Sequence, residues 1–459
     1  MFTVRDGKLR GRALREKMPR VAHAELTLPE RDPVAIIEEQ NASRLSDLVP
    51  VRMGRMLQSP FTYYRGTAGV MAHDLSVAEV TGQKVVVCGD AHISNFGMYA
   101  SPERRLLFDL NDFDEAAIAP WEWDVKRLAA SVIVGGRDLG LTEEQCREAA
   151  MSAVRTYRQT VQYMFELTGL ERYYFQVETD WIETLVQSKD RKVIRGAVEK
   201  SKLRTSEQAR DKLMSVTEDG ILRFREFPPT TIHVDLPTLE GVQELFFAYC
   251  STLRSDAAYL LTQYRLVDFV RRAVGVGSVG TSCFVVMLEG PSEGPLFLQV
   301  KEAPPSVLET YGRQVHEVPR GVTPSMHGIH GHRVVTGQRI LQAQSDPFLG
   351  WTAGWANPER PRPADYYWRQ FRDMKGSVRL DRLPKTLFAN YVGLCGQLLG
   401  RAHSQSPGGA VVAGYLGQSS RFDEAIVTWS VAYADQSEKD FDALAAAVKA
   451  GRLPAEFGA

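Results

Sequence analysis

The sequence predicts an α+β fold, on three observations. Two pairs of short apolar strands stand far apart, near 85–110 and 283–300. A loop or glycine turn, not a helix, joins the members of each pair. Long stretches with helical apolar spacing precede, separate and follow them. At 459 residues the chain exceeds one ordinary core and suggests two or three packed lobes. We divide it into an N-terminal arm with helices (1–60), a mostly helical region built on the first strand pair (61–265), a region built on the second pair (266–380) and C-terminal helices (381–459).

Taken in order, residues 1–35 read as a polar arm with a short helix, and Asp32-Pro33 starts a helix carrying Val34, Ile36 and Ile37. Leu48–Leu57 has helical spacing, Ser59-Pro60 punctuates it, and the aromatic run Phe61–Gly66 reads as a strand. Within it Arg65 is either a packed surface residue or a phosphate ligand. Val70–Leu75 is helical. Trp123–Val134 places Val125, Leu128, Ala129, Val132 and Ile133 on one helix face, with Trp121 and Trp123 as core anchors. Thr142-Glu143-Glu144-Gln145 opens a helix to about Phe165. The basic run within 186–213 reads as a solvated helix face, Pro228-Pro229 as a loop and Leu239–Tyr259 as a helix. Residues 302–316 offer another helix, Arg333–Ala343 and Tyr366–Phe371 further strands, and Leu349-Gly350-Trp351 a tight connection. Leu387–His403 and Phe422–Val448 are helical.

Composition bounds the partners. The chain is 24% charged and 44% hydrophobic with a net charge of −1, which describes an ordinary soluble globular protein and favours neither nucleic acid nor a membrane. Five scattered cysteines without C-x-x-C spacing argue for reduced thiols in a cytoplasmic setting. The basic N-terminus lacks the apolar run of a secretory signal, and no apolar stretch is long enough to span a membrane.

The chemistry concentrates between Lys84 and Asp124. The strand Val85–Val87 ends at Gly89, which puts Asp90, His92 and Asn95 on a loop; the strand Leu106–Leu110 then runs into Asn111-Asp112-Phe113-Asp114-Glu115. Carboxylates crowded at two strand ends repel unless a cation or a transferred proton offsets them. Asp90, then Asn95, then Asp112 beyond a hairpin is the set that metal-assisted phosphoryl transfer requires. One carboxylate orients or deprotonates a hydroxyl, while an amide oxygen and a second carboxylate hold magnesium. Singly, each of these residues is an ordinary turn former.

Gly89-Asp90-Ala91-His92-Ile93-Ser94-Asn95 resembles the H-G-D-x-H-x-x-N catalytic loop of aminoglycoside and choline phosphotransferases, in the protein-kinase-like superfamily. Asp112-Phe113-Asp114-Glu115 resembles their metal-binding strand end, and Asp124-Val125-Lys126-Arg127-Leu128 the segment opening the next helix. Cys88 departs from the pattern, standing where those enzymes carry histidine. A second stretch fits the same resemblance. Gly275-Val276-Gly277-Ser278-Val279-Gly280 precedes the strand Cys283–Leu288, and a turn leads to Leu296–Val300 and Lys301, similar to a kinase Gly-rich loop and its V-A-I-K strand. A Rossmann reading would need a helix directly after these glycines, and strand residues follow instead. Glu309 is the candidate partner of Lys301, with Glu302 the alternative. His316, His327, His330 and His332 invite a metal reading, but three of them alternate with glycine in what reads as a loop.

The resemblance implies a two-lobed protein-kinase-like fold that is circularly permuted, because the Gly-rich loop and its lysine follow the catalytic loop. It further implies a phosphotransferase using ATP and Mg2+ on a small hydroxyl-bearing acceptor. Asp90 and His92 serve the reaction, Asn95 and Asp112 hold the metal, and Asp114 is a further ligand or a loop-orienting residue. Gly275, Gly277, Gly280, Lys301 and Glu309 bind the nucleotide. A metal-dependent phosphohydrolase, a nucleotidyl transferase and a non-catalytic nucleotide-binding protein are the competing readings. Over most of its length the chain also resembles a bacterial family, domain of unknown function 2252, through Ser59-Pro60-Phe61, Cys88-Gly89-Asp90-Ala91-His92, Pro120-Trp121-Glu122-Trp123-Asp124 and Val300-Lys301-Glu302-Ala303.

Overall fold

A computed structural model describes residues 3–180, 191–234, 239–273, 275–319, 321, 328–355, 363–371 and 373–458. It is an α+β architecture. Strand β1 (Lys84–Val87) leads through the Asp90 loop into the hairpin β2 (Phe96–Ala100) and β3 (Leu106–Leu110), in which Phe96 faces Leu110. The chain returns along β4 (Ala117–Pro120), antiparallel to β1 with Val86 opposite Ile118. This return brings Asp112–Glu115 back beside Gly89 and Asp90.

A small pair, β5 (Met214–Val216) and β6 (Leu222–Phe224), precedes the main sheet. That sheet contains β7 (Thr231–Ile232), β8 (Arg265–Arg272), β9 (Cys283–Glu289), β10 (Pro295–Glu302), β11 (Gly350–Trp355) and β12 (Ala364–Gln370). Its spatial order is β11-β12-β10-β9-β8-β7, and every pairing in it is antiparallel. Strand β13 (Gly376–Ser377) leaves it and joins the edge of β2.

The run Cys283–Leu288 is apolar throughout because both faces of the main sheet are covered. Phe284, Val286 and Leu288 pack with Tyr249 and Trp368 on one side; Val285 and Met287 pack with Leu213 and Phe224 on the other. The largest core lies elsewhere. It joins β1–β3 to the helices Trp121–Asp138, Glu143–Met164, Lys385–His403 and Arg421–Lys449. Trp121 and Trp123 are buried in it, as their apolar rings require.

Several sequence expectations need correction. Phe61–Gly66 is not a strand but most of the helix Pro60–Gly66. Ser59 Oγ accepts from the Thr62 N–H at 3.2 Å and Thr62 Oγ1 from the Ser59 N–H at 2.8 Å, a capping box whose proline at the first helical position outweighs aromatic strand preference. Most of Arg333–Ala343 lies in the helix His330–Leu341, where Val334, Gln338 and Leu341 are buried at helical spacing. The helix expected within 302–316 is one turn, Val307–Thr310, and Leu239–Tyr259 breaks into Leu239–Cys250 and Ser255–Leu261. Gly350 and Trp351 open β11 rather than forming a tight connection. His327 lies outside the described residues.

Candidate functional site

The Asp90 loop is built from the helix behind it. Gly89 takes φ 78°, and a Cβ there would stand 2.2 Å from the Glu115 carbonyl oxygen, so only glycine fits between the two loops. Buried Asp124, in the first turn of Trp121–Asp138, accepts the N–H groups of Cys88 and Gly89 at 2.8 and 2.9 Å. His403 Nε2 lies 3.2 Å from Asp124, and His403 Nδ1 is 2.9 Å from the Tyr157 hydroxyl. The hydrogen bonding left open by Cys88 is therefore made by its backbone. One turn along the same helix, Arg127 Nε donates to Asp90 Oδ1 at 2.8 Å. Burial alone would raise the Asp90 pKa; Arg127, helped by Arg65, outweighs it and holds this carboxyl below its usual range. His92 Nε2 lies 3.6 Å from Asp90 Oδ2, and burial pushes the imidazole down to about 3, so it is neutral.

Asn95 and Asp112 stand at the two ends of the β2–β3 hairpin. The Asn95 amide donates to the carbonyls of Asp90 and Asp112, both at 3.0 Å, and fixes one loop against the other. Its own oxygen, Oδ1, is buried and accepts nothing. Asp112 Oδ1 is likewise buried and without a hydrogen bond among the described residues; Lys301 Nζ lies 3.9 Å from it, and the Asp112 side chain is 48% exposed. Burial and then the charge of Asp114 raise the Asp112 pKa. Two orphaned acceptors in one cleft are the donor set a hard divalent cation takes, so these residues fit magnesium. Asp114, by contrast, is satisfied. It pairs with Lys301 Nζ and accepts the Tyr367 hydroxyl at 2.6 Å; Lys301 outweighs burial and holds the carboxyl down at about 2. Lys301 and Tyr367 are register partners on β10 and β12, so both reach the same carboxylate.

Neither expected glutamate pairs with Lys301. Glu302 points to the other face of β10, as its neighbouring position dictates, and accepts the Ser282 N–H at 2.8 Å. Glu309 faces His316 Nδ1 at 3.0 Å and Arg333 at 4.0 Å. Glu309, His316 and His330 bring three donor atoms within 4.8 Å of one another. Arg333 Nε, 3.4 Å from His330 Nδ1, occupies the same surroundings, and burial and this guanidinium together lower His330 to about 4. A guanidinium there disfavours a bound cation.

The glycine loop meets the first stretch across a cleft of about 570 Å³, lined by Asp90, His92, Asn95, Asp112 and Asp114 on one side and by Gly275, Gly277 and Ser278 on the other. Gly280 is not in this lining. It takes φ 90°, packs on the Arg44 side chain, and its carbonyl accepts the Leu45 N–H at 2.8 Å. Arg55 and Arg44 hold the carbonyls of Gly275 and Val279 at 2.8 and 2.5 Å. Lys301 also lies outside the lining, 2% exposed behind Asp114.

Three residues of the cleft escaped sequence reasoning. Arg127 was legible only as a position three residues after Asp124. Lys375 also lines the cleft, with burial and then Arg369 lowering it to about 7. Glu115, raised to about 7 chiefly by burial, accepts the Val307 N–H at 2.7 Å and fixes the segment after β10. Arg65 is half-buried and lines the cleft, with its Nε buried and without a hydrogen bond among the described residues. Among the described residues no helix is long and apolar enough to cross a membrane.

No curated protein and no solved structure matches the chain. The sequence pattern of one family, described as an uncharacterized protein conserved in bacteria, does match, over residues 44–447. The chain belongs to that family, domain of unknown function 2252.

Proposed function

We propose that this protein is a Mg-ATP-dependent phosphotransferase acting on a small hydroxyl-bearing molecule, on a circularly permuted kinase-like scaffold. The observation that carries the reading is the pair of buried oxygens Asn95 Oδ1 and Asp112 Oδ1, neither accepting a hydrogen bond among the described residues, facing a glycine loop across one cleft. The topology supports it as well. A glycine turn joins β8 to β9, Lys301 follows on β10, then a helix and β11–β12; the Asp90 loop, hairpin and Asp112 come earlier in the chain. Catalysis needs this geometry and not its chain order.

Asn95 and Asp112 would hold magnesium, and the metal with its nucleotide supplies a polarised terminal phosphoryl group. Asp90, kept ionised by Arg127, orients the acceptor hydroxyl and accepts its proton at Oδ2. Arg65 and Lys375 line the cleft with no carboxylate within 4 Å among the described residues and neutralise phosphate oxygens. The backbone of Gly275 and Gly277 covers the phosphates, and Lys301 reaches them once Asp114 yields it. Catalysis takes place in the cytoplasm in this reading.

A thermal shift with ATP and magnesium tests it, on wild type and on Asp112→Ala and Lys301→Ala. A ligand that binds only the folded state raises the midpoint as its concentration passes its dissociation constant. The expected result is a rise in wild type that both variants lose. No rise at millimolar ATP sinks the reading.

A further inference from the structure

A second cavity, of about 660 Å³, lies beside the cleft. Its walls are the β2–β3 hairpin and the helices Arg191–Lys202, Glu143–Met164 and Lys385–His403. Gly376 of β13 lets the first of these helices close in, since a Cβ there would stand 2.0 Å from Ser201 Oγ. The cavity and the cleft touch at β13: Ser377 lines both, Lys375 lines the cleft and Gly376 the cavity. Tyr391, in the cavity wall, donates its hydroxyl to the Ile93 carbonyl of the Asp90 loop at 2.5 Å.

The lining has a definite chemistry. Its apolar part includes Met98, Phe108, Ile194, Leu387 and Leu394, and hydroxyls and amides come from Ser152, Thr156, Thr179, Asn390 and Gln397. Its charged members are Lys200, Arg204, Arg379 and Arg382, with no carboxylate among the lining residues described. Arg379 is engaged by Asp381 at 2.6 and 2.9 Å, and Arg204 donates to the Lys375 carbonyl at 2.6 Å. Lys200, Arg204 and Arg382 have no carboxylate partner within 4 Å among the described residues. Uncompensated positive charge over an apolar floor repels a cationic ligand and favours an anion with an apolar body. The volume is that of an ordinary small-molecule site.

We propose that this cavity holds the acceptor and that the acceptor is an anionic amphiphile: an apolar body bearing a hydroxyl and one carboxylate or phosphate. The acceptor role rests on the phosphotransferase reading; the binding does not.

The test is calorimetric titration of the full chain with ω-hydroxyoctanoate and with ω-aminooctanol, which match in length and differ in the sign of the head group. The carboxylate is expected to bind at least about tenfold more tightly. Lys200→Glu and Arg382→Glu alter exposed side chains, so the fold survives. Each should weaken carboxylate binding about fivefold, the order of one solvent-screened charge contact, and the double variant should prefer the amine. Equal or tighter binding of the amine to wild type, or carboxylate binding indifferent to both charge reversals, overturns the proposal. Asp112→Ala, across β13, should bind the carboxylate as wild type does. Binding without phosphoryl transfer from ATP upholds the ligand class and sinks the phosphotransferase reading; transfer to another hydroxyl compound with no binding here does the reverse.

Discussion

The two loops that face each other across the cleft are held in opposite ways. The Asp90 loop is fixed from within its own stretch: Asp124 and Arg127, some 35 residues on, grip its backbone and its carboxylate. The glycine loop is held from farther along the chain. Arg44, Leu45 and Arg55, more than 200 residues earlier, hold its carbonyls. The first loop presents side chains whose charge must be set in advance; the second presents backbone, which needs position only. A local support suits the former because each partner also tunes a pKa, as Arg127 does for Asp90.

That contrast can be broken at a buried ion pair that joins the two stretches, Lys301 and Asp114. Lys301→Ala leaves a largely buried carboxylate without its cation, and should cost about 3–5 kcal/mol in chemical unfolding. Lys301→Ala combined with Asp114→Asn should recover part of that loss, because the pair and not either charge is what burial requires. A double variant as unstable as the single one would show that an uncompensated charge is not the source of the loss.

The glycines sharpen it next. Gly89→Ala faces positive φ and a carbonyl at 2.2 Å, and should cost about 2–4 kcal/mol; Gly277→Ala keeps an ordinary φ, meets only the Arg65 carbonyl at 3.2 Å, and should cost under about 1 kcal/mol. Equal urea midpoints for the two would overturn the view that only the first loop is sterically determined.

The smallest effect is in pH. His92 is held neutral with a folded pKa of about 3, against roughly 6.5 when unfolded. Below about pH 6.5 the unfolded chain takes up a proton that the folded one refuses, so stability falls as pH drops towards 3. His92→Gln should flatten that slope, recovering on the order of 2 kcal/mol at pH 5 relative to wild type. Residues 275–281 carry no titratable side chain, so no substitution within them should alter it.

How much of this the sequence revealed follows the same division. The first stretch was readable because its strands, glycine and carboxylates are contiguous: Val85–Val87, Gly89, Leu106–Leu110 and Asp112 all stand where the spacing puts them. The glycine hairpin and Lys301 were readable for the same reason. The partner of Lys301 was not, because a lysine seeks charge in space and Asp114 lies 187 residues away. Glu309 looked eligible only along the chain. The strand assigned to Arg333–Ala343 failed because Val334, Val335 and Ile340 favour strands intrinsically, whereas burial at 334, 338 and 341 imposes a helical period. Pro60–Gly66 had its capping box in plain view, hidden by four aromatic or β-branched neighbours in a row.

The Arg31 guanidinium clamps Asp74 at 2.5 and 2.9 Å and, from the last long helix, Asp440 at 3.0 and 2.7 Å. Asp124, which supports the Asp90 loop, is itself met by His403. On the ribosome this order has a cost. His403 and Asp440, which back these contacts, emerge in about the last eighth of the chain, after tens of seconds of elongation at about 5–20 residues per second. Until then the main sheet is finished but lacks its surroundings, with β7 and β11 as open edges. Contacts this far apart in sequence close late, and apolar surface and strand edges stay exposed while they wait.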